Sequence, residues 1–373
     1  MAGLHERGRT ILGEAGLGKS SLVRRLTSEA SAAGDWVTPQ LRIPTGADPL
    51  KRVAGALLTV ADQAGLAAAR EKKITELLRS VERVAAAGVS SSMREQPGPE
   101  PYSALTNLLI EIGRAALRQG RSIIVIHVDE VQNITDDAAL SQLLTALGDA
   151  LTHEEPLTLP GGRQIDAALP LAVYLTGLPE FADMAGARKG ATFARRFQTT
   201  MLAPIEDDDL IAALQPFVTE GWPVAGDDGH DERVFMEPDA QHAIVELACG
   251  EPFLFQLAGE RAWYAGTSAI ITAEDVMSGW DDARYEAEGH VLRILDRLPS
   301  RERQFVETMA ELDPTDRTLT TIARHMGYEK GTAVGPTGQR LDRQRGIVTR
   351  GKPYTFRHRA VEAYLTTDWP DMS

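Results

Sequence analysis

Gly13-Glu14-Ala15-Gly16-Leu17-Gly18-Lys19-Ser20 decides the fold. The stretch fits G-x-x-x-x-G-K-[ST], the spacing of a phosphate-binding P-loop. Its glycines let backbone N–H groups turn inward around anionic oxygens. Lys19 is placed to reach the β- and γ-phosphates of a nucleotide, and Ser20 to ligate Mg²⁺. Upstream, Arg9-Thr10-Ile11-Leu12 reads as a short buried strand. Downstream, Ser21-Leu22-Val23-Arg24-Arg25-Leu26 opens a helix whose N-terminus points at the phosphates. Strand, glycine loop and helix in that order predict that ATP and Mg²⁺ bind along residues 13–21.

Composition sets the bounds. A chain of 373 residues is long enough for two or three domains, each with its own core. Cys249 is the single cysteine, so an intramolecular disulfide or a cysteine-rich metal site is excluded. That fits a reducing, cytoplasmic setting. No apolar run approaches the roughly 18 residues of a membrane span, and no charged-then-apolar leader opens the chain. The net charge of −14 speaks against broad coating of nucleic acid. Its distribution is uneven: residues 317–361 hold ten Lys/Arg against two acids, while residues 1–316 carry −19. An acidic body with a basic end signals a partner rather than a fold.

Residues 1–205 alternate apolar strands with helical patterns, which predicts a parallel α/β sheet. The expected strands are 10–12, 37–43, 123–128, 172–176 and 199–202. Amphipathic helices are expected at 49–64 and 72–86, and exposed linkers at 90–101 and 155–164. From 206 to 296 the apolar spacing is helical throughout, with a helix start at Thr272-Ala273-Glu274-Asp275. A third unit spans 297–373.

Ile123-Ile124-Val125-Ile126-His127-Val128-Asp129-Glu130 is an apolar strand ending in two acids, the Walker B pattern. Asp129 is expected to hold Mg²⁺ through water and Glu130 to orient the attacking water. His127 reads as a satisfied structural histidine. Gln132 is either a γ-phosphate neighbour or a solvated residue at a helix start. A strand inserted between the P-loop strand and the Walker B strand would put Thr176 beside the γ-phosphate. Arg195 or Arg196 is placed to reach a neighbouring subunit's nucleotide as a finger; a surface pairing with the acidic run 206–209 is the alternative.

These motifs together resemble the AAA+ ATPases, specifically the branch near origin-recognition ATPases and STAND signalling ATPases, in bacterial, actinobacterial-looking form. Gly177-Leu178-Pro179, Arg195-Arg196-Phe197 and Gly250-Glu251-Pro252-Phe253-Leu254-Phe255-Gln256 match that branch in order and spacing. The resemblance implies a P-loop core with its sheet in AAA+ order, an α-helical lid and a C-terminal winged helix. It also implies ATP hydrolysis and an ATP-dependent homo-oligomer or a partner protein. Two features depart from the pattern. Little chain precedes the P-loop to frame an adenine. The lid offers only Arg261, at an unconvincing position, for the family's second sensor arginine, so the expected hydrolysis is slow or partner-stimulated.

The basic end reads as three helices and a wing. The third helix, 336–345, carries Gln339, Arg340, Arg343, Gln344 and Arg345, whose Arg and Gln side chains are placed to read base edges in a major groove. Arg350, Lys352 and Arg357 on the wing would contact phosphate. The leading expectation is an ATP-dependent switch acting on double-stranded DNA. The rivals are a STAND-type scaffold whose winged helix contacts protein, and a mobile-element helper that forms filaments on DNA.

Overall fold

The computed structural model describes residues 8–63, 101–119, 123–158, 161–186, 197–225 and 231–371. The helix expected at 72–86, nearly all of the 90–101 linker, and Arg195 and Arg196 lie outside the described residues. The chain divides into two compact units. One is Met1–Leu12 with Lys19–Met201; the other is Gly13–Gly18 with Leu202–Ser373.

The first unit begins with β1 (Gly8–Leu12), α1 (Lys19–Ala32), β2 (Trp36–Val37), β3 (Leu41–Arg42), α2 (Pro49–Gln63), α3 (Pro101–Gln119) and β4 (Ile124–Asp129). It continues with α4 (Asp137–Leu151), β5 (Glu154–Thr158), β6 (Gln164–Ala168), β7 (Leu171–Gly177), α5 (Phe181–Gly186) and β8 (Phe197–Met201). Its main sheet is parallel, in the order β2-β4-β7-β1-β8, with β3 also pairing β4. Every residue of β4 is buried, as a central strand covered on both faces requires. On α4, Leu140, Leu143, Leu144, Leu147 and Leu151 fall on one helical stripe and are buried, and Asp136 caps the helix by accepting from the amide of Ala139.

Register fixes the working edge of this sheet. Val128 pairs Leu175 across β4 and β7, and Ile11 pairs Thr176 across β7 and β1. The C-terminal ends of β1, β7 and β4 therefore come level. That edge is where open α/β sheets bind ligands.

Two expectations are corrected here. The single strand at 37–43 is two short strands, because the backbone leaves the sheet between them and Gln40 turns its amide onto Asp129. The linker at 155–164 is largely the antiparallel hairpin β5–β6, with Leu157 opposite Ile165. Pro156 and the glycine tip gave it the composition of a loop, while its alternating exposure is that of a strand pair.

In the second unit, α6 (Asp207–Thr219), β9 (Trp222–Ala225), β10 (Asp231–Met236), α7 (Pro238–Ala248), α8 (Pro252–Ala265), β11 (Ile270–Ile271) and α9 (Ala273–Asp296) come first. Then follow α10 (Ser300–Glu311), α11 (Leu319–His325), α12 (Gly335–Arg340), β12 (Val348–Thr349), β13 (Thr355–Phe356) and α13 (Arg359–Thr366). The region 206–296 is thus not helical throughout. It contains a three-stranded sheet, β11-β10-β9, whose strands are too short to register as a period against the flanking helices. The expected start of α9 is present as a reciprocal cap between Thr272 and Asp275. Trp280 on α9 is fully buried, and its indole donates to the carbonyl of Pro370 at 2.9 Å. Trp369 donates in turn to the carbonyl of Leu247. The helix expected at 336–345 is α12 followed by one wider turn, Leu341–Arg345, closed by Gly346 with φ 72°.

Candidate functional site

In the first unit, the end of β4 presents Asp129, which is 3% exposed. Its Oδ1 accepts from Thr176 Oγ1 at 2.5 Å and from the amide of Glu130 at 3.0 Å. Its Oδ2 accepts from Ser20 Oγ at 2.9 Å and from Gln40 Nε2 at 2.7 Å. The exposed guanidinium of Arg42 stands 3.9 Å away. Burial pushes the Asp129 carboxyl up, but the two hydroxyls and the amide outweigh it and the net shift is downward. The result is an ionised carboxylate held mainly by neutral dipoles.

Thr176 is fully buried at the end of β7. Its single proton goes to Asp129, so the 2.9 Å contact with His127 requires the imidazole Nε2 to donate. Burial lowers the pKa of His127, which keeps it neutral. The hydroxyl of Thr176 orients the acid, at the end of a strand that does lie between the P-loop strand and the Walker B strand. Gln132, half-buried in a short helical turn, accepts from the amide of Leu178 through its Oε1 at 3.1 Å. Glu130 has φ 57° and ψ 43°, left-handed geometry that is uncommon away from glycine and tends to collect at working sites. Its carboxylate accepts from Asn133 Nδ2 at 2.9 Å, and the same amide donates to the carbonyl of Ile43.

The loop Gly13–Gly18 groups with the second unit. Gly16 has φ +87°, and a Cβ there would lie 2.7 Å from that of Phe253 and 3.0 Å from Cε1 of His290. Only glycine meets both conditions. Glu14 is 3% exposed and forms an ion pair with Arg297, just past α9. Arg261, the lid arginine considered from sequence, pairs with Glu286 at 3.4 Å.

Behind Phe253 and His290, whose rings stack at 4.7 Å, lies Glu251, with no exposed surface. His290 Nε2 donates to Glu251 Oε2 at 2.6 Å, and His358 Nδ1 pairs with Oε1 at 3.0 Å. Burial pushes the Glu251 carboxyl up, but the His358 charge and the His290 hydrogen bond bring it down to about 2. Burial lowers His358; the Glu251 carboxylate outweighs it and leaves the imidazole raised. Sequence reasoning missed Arg297, Glu251 and His358. The only available signal was Glu251 inside the 250–256 motif.

The basic tract divides. Arg340 pairs with Glu302 at 2.7 Å and Arg357 with Asp342 at 2.5 Å. Gln344 is half-buried, whereas Gln339, Arg343, Arg350 and Lys352 are exposed.

The donor set suits Mg²⁺. A hydroxyl and a carboxylate oxygen 2.9 Å apart match an ion that takes one or two protein oxygens and completes its shell with water and phosphate. Among the described residues no group of three or more His, Cys, Asp or Glu forms an all-protein cage.

Residues 4–159 match the AAA ATPase domain. No curated protein matches the sequence. Among solved structures the chain is similar to the Walker-type ATPase PABY2304 of Pyrococcus abyssi. The TM-score is 0.52 at 14% identity, over 96% of this chain and 90% of that one. It is also similar to Cdc6p from Pyrobaculum aerophilum, with TM-score 0.43 at 15% identity over 96% and 85%. The ORC2 protein of Aeropyrum pernix gives TM-score 0.48 at 15% identity over 98% and 87%. The fold is that of a P-loop, AAA+-like ATPase with a parallel central sheet. Among the described residues no helix is long and apolar enough to cross a membrane.

Proposed function

We infer that this chain is an ATP-binding and ATP-hydrolysing AAA+ switch that couples nucleotide state to double-stranded DNA through a C-terminal winged helix. Residues 13–21 would cradle the triphosphate, and Lys19 would offset its charge. Ser20 and Asp129 would hold Mg²⁺, which supplies charge neutralisation at the phosphates. Thr176 and Gln40 orient Asp129. Glu130, held by Asn133, would take the proton of the attacking water in ATP + H₂O → ADP + phosphate. Arg195 or Arg196 would act on a neighbouring subunit's nucleotide in a homo-oligomer.

One observation carries the coupling. P-loop residues Glu14 and Gly16 pack against Arg297, His290 and Phe253, and Glu251 links His290 to His358 at the start of the last helix. A change at the loop therefore has a short buried route to the basic end.

A second reading, a STAND-type scaffold whose winged helix contacts protein, is favoured by the internal pairing of Arg340 and Arg357. Duplex binding with ATP and with ADP across a salt series separates the two. The switch predicts nucleotide-dependent affinity that falls steeply with salt, and a slope shallower by about one for each of Arg350→Ala and Lys352→Ala. Absence of duplex binding at low salt, with ATP bound, leaves the scaffold.

A further inference from the structure

A cavity of about 480 Å³ opens in the second unit between α6, α8 and the β9–β10–β11 sheet. Aromatic residues are 6% of the chain, yet Phe217, Trp222, Phe255 and Trp263 all line this one space. Trp222 is 52% exposed and stacks on Phe217 at 5.2 Å, nearly parallel. One indole face is covered, and the residue keeps half of its surface open. Gln256 and Glu260, one helical turn apart on α8, supply the polar groups. Between them is Gly259, where an added Cβ would meet nothing within 4 Å. The space above α8 is open, and its volume lies within the roughly 300–1,000 Å³ of small-molecule sites.

The charge around the cavity selects the ligand. Residues 206–296 contain twenty-one acids and four arginines. Two of those arginines are near and engaged elsewhere: Arg233 donates to the carbonyls of Glu220 and Gly221, and Arg261 pairs with Glu286 on α9. The side chain of Glu260 makes no hydrogen bond or ion pair among the described residues. Aromatic walls, a carboxylate and a negative field attract a cation with an apolar body and repel a nucleotide.

We propose that this cavity binds a small organic cation, an ammonium or guanidinium carried on an aromatic or alkyl body, independently of the P-loop. The apolar body takes the place of water against Phe217, Trp222 and Trp263, and Glu260 holds the charge.

Calorimetry of the full chain with tryptamine, and with its uncharged isostere tryptophol, tests the site. Expected is saturable one-to-one binding of tryptamine at a dissociation constant on the order of millimolar or tighter, with tryptophol about tenfold weaker. Gly259→Leu, which fills the space, abolishes both heats. Glu260→Gln abolishes the preference for tryptamine and leaves tryptophol binding. If Gly259→Leu does not fold, Trp222→Ala at its half-exposed position carries the same test and weakens both ligands. ATP titrations of the same variants stay at the wild-type value, so a failure here is distinct from a failure of the nucleotide reading. A capped Lys-Trp dipeptide separates a free amine from a protein side chain, and tighter binding of the dipeptide overturns the small-molecule assignment. Absence of saturable tryptamine heat, or heat unchanged by both cavity variants, overturns the site. Equal binding of tryptamine and tryptophol overturns the cation.

Discussion

Asp129 in the first unit and Glu251 in the second are both buried carboxylates, held in opposite ways. Asp129 is satisfied by Ser20, Thr176, Gln40 and a backbone amide, all neutral dipoles. Glu251 accepts a hydrogen bond from one imidazole and stands 3.0 Å from a second, whose pKa is raised. Dipoles stabilise a negative charge without cancelling it, so Asp129 retains a charge to offer a metal cation. An imidazolium cancels the charge, so Glu251 serves as a fastening. The same functional group is left free to take a cation in one setting and is a structural bolt in the other; the neighbours decide.

The largest effect that tests this contrast is on stability. Glu251→Ala leaves a charged imidazole buried without its partner, and should cost about 3–5 kcal/mol in urea unfolding. Asp129→Asn leaves neutral groups and the exposed, solvated Arg42 guanidinium behind and should cost far less. A comparable loss for the two would erase the distinction.

Next in size is the pH response, which should differ in shape between the units. Glu251, at about 2 when folded against 4.5 ordinarily, contributes stability in full above pH 4.5 and loses it as pH falls toward 2, about 3 kcal/mol in all. His358 has a raised folded value, so its contribution is full below its ordinary 6.5 and is lost as pH rises through the folded value. The second unit should therefore lose stability on both sides. Asp129, shifted down, weakens the first unit on the acid side alone. Four of the five tryptophans, all but Trp36, lie in the second unit, so fluorescence of Trp36→Phe follows that unit's unfolding across pH. A flat alkaline limb would remove the imidazolium from the account.

Asp129→Asn should weaken Mg²⁺-dependent nucleotide binding on the order of 10–100-fold, read as the metal concentration needed for half-maximal binding. The smallest effect belongs to an orienting group. Thr176→Val removes one donor to Asp129 and the acceptor for His127, and should cost about 1–2 kcal/mol in thermal unfolding. Thr176→Ser, which keeps the hydroxyl, should restore most of it.

The strand ends that meet around Asp129 were legible in the sequence; the fastening at Glu251 was not. Gly13–Ser20 and Asp129-Glu130 carry their chemistry in adjacent residues, and the strand carrying Thr176 announces itself by composition. Even there the partners of Thr176 were hidden, because cross-strand register decides which hydroxyl meets which acid. Glu14–Arg297 and Glu251–His358 join residues far apart in the chain, and no spacing rule encodes them. Nor did composition reveal the hairpin at 154–168 or the short sheet at 222–271. Proline and glycine disguised the first, and strands of a few residues disguised the second.

The central claim is the proposal that residues 13–20 seat a triphosphate whose magnesium Ser20 and Asp129 would hold. Calorimetric titration of the folded full chain with ATP and Mg²⁺ tests it most directly. The account predicts saturable heat from the wild type and its loss in Lys19→Ala. Absence of heat from the wild type, or equal heat from Lys19→Ala, would contradict it.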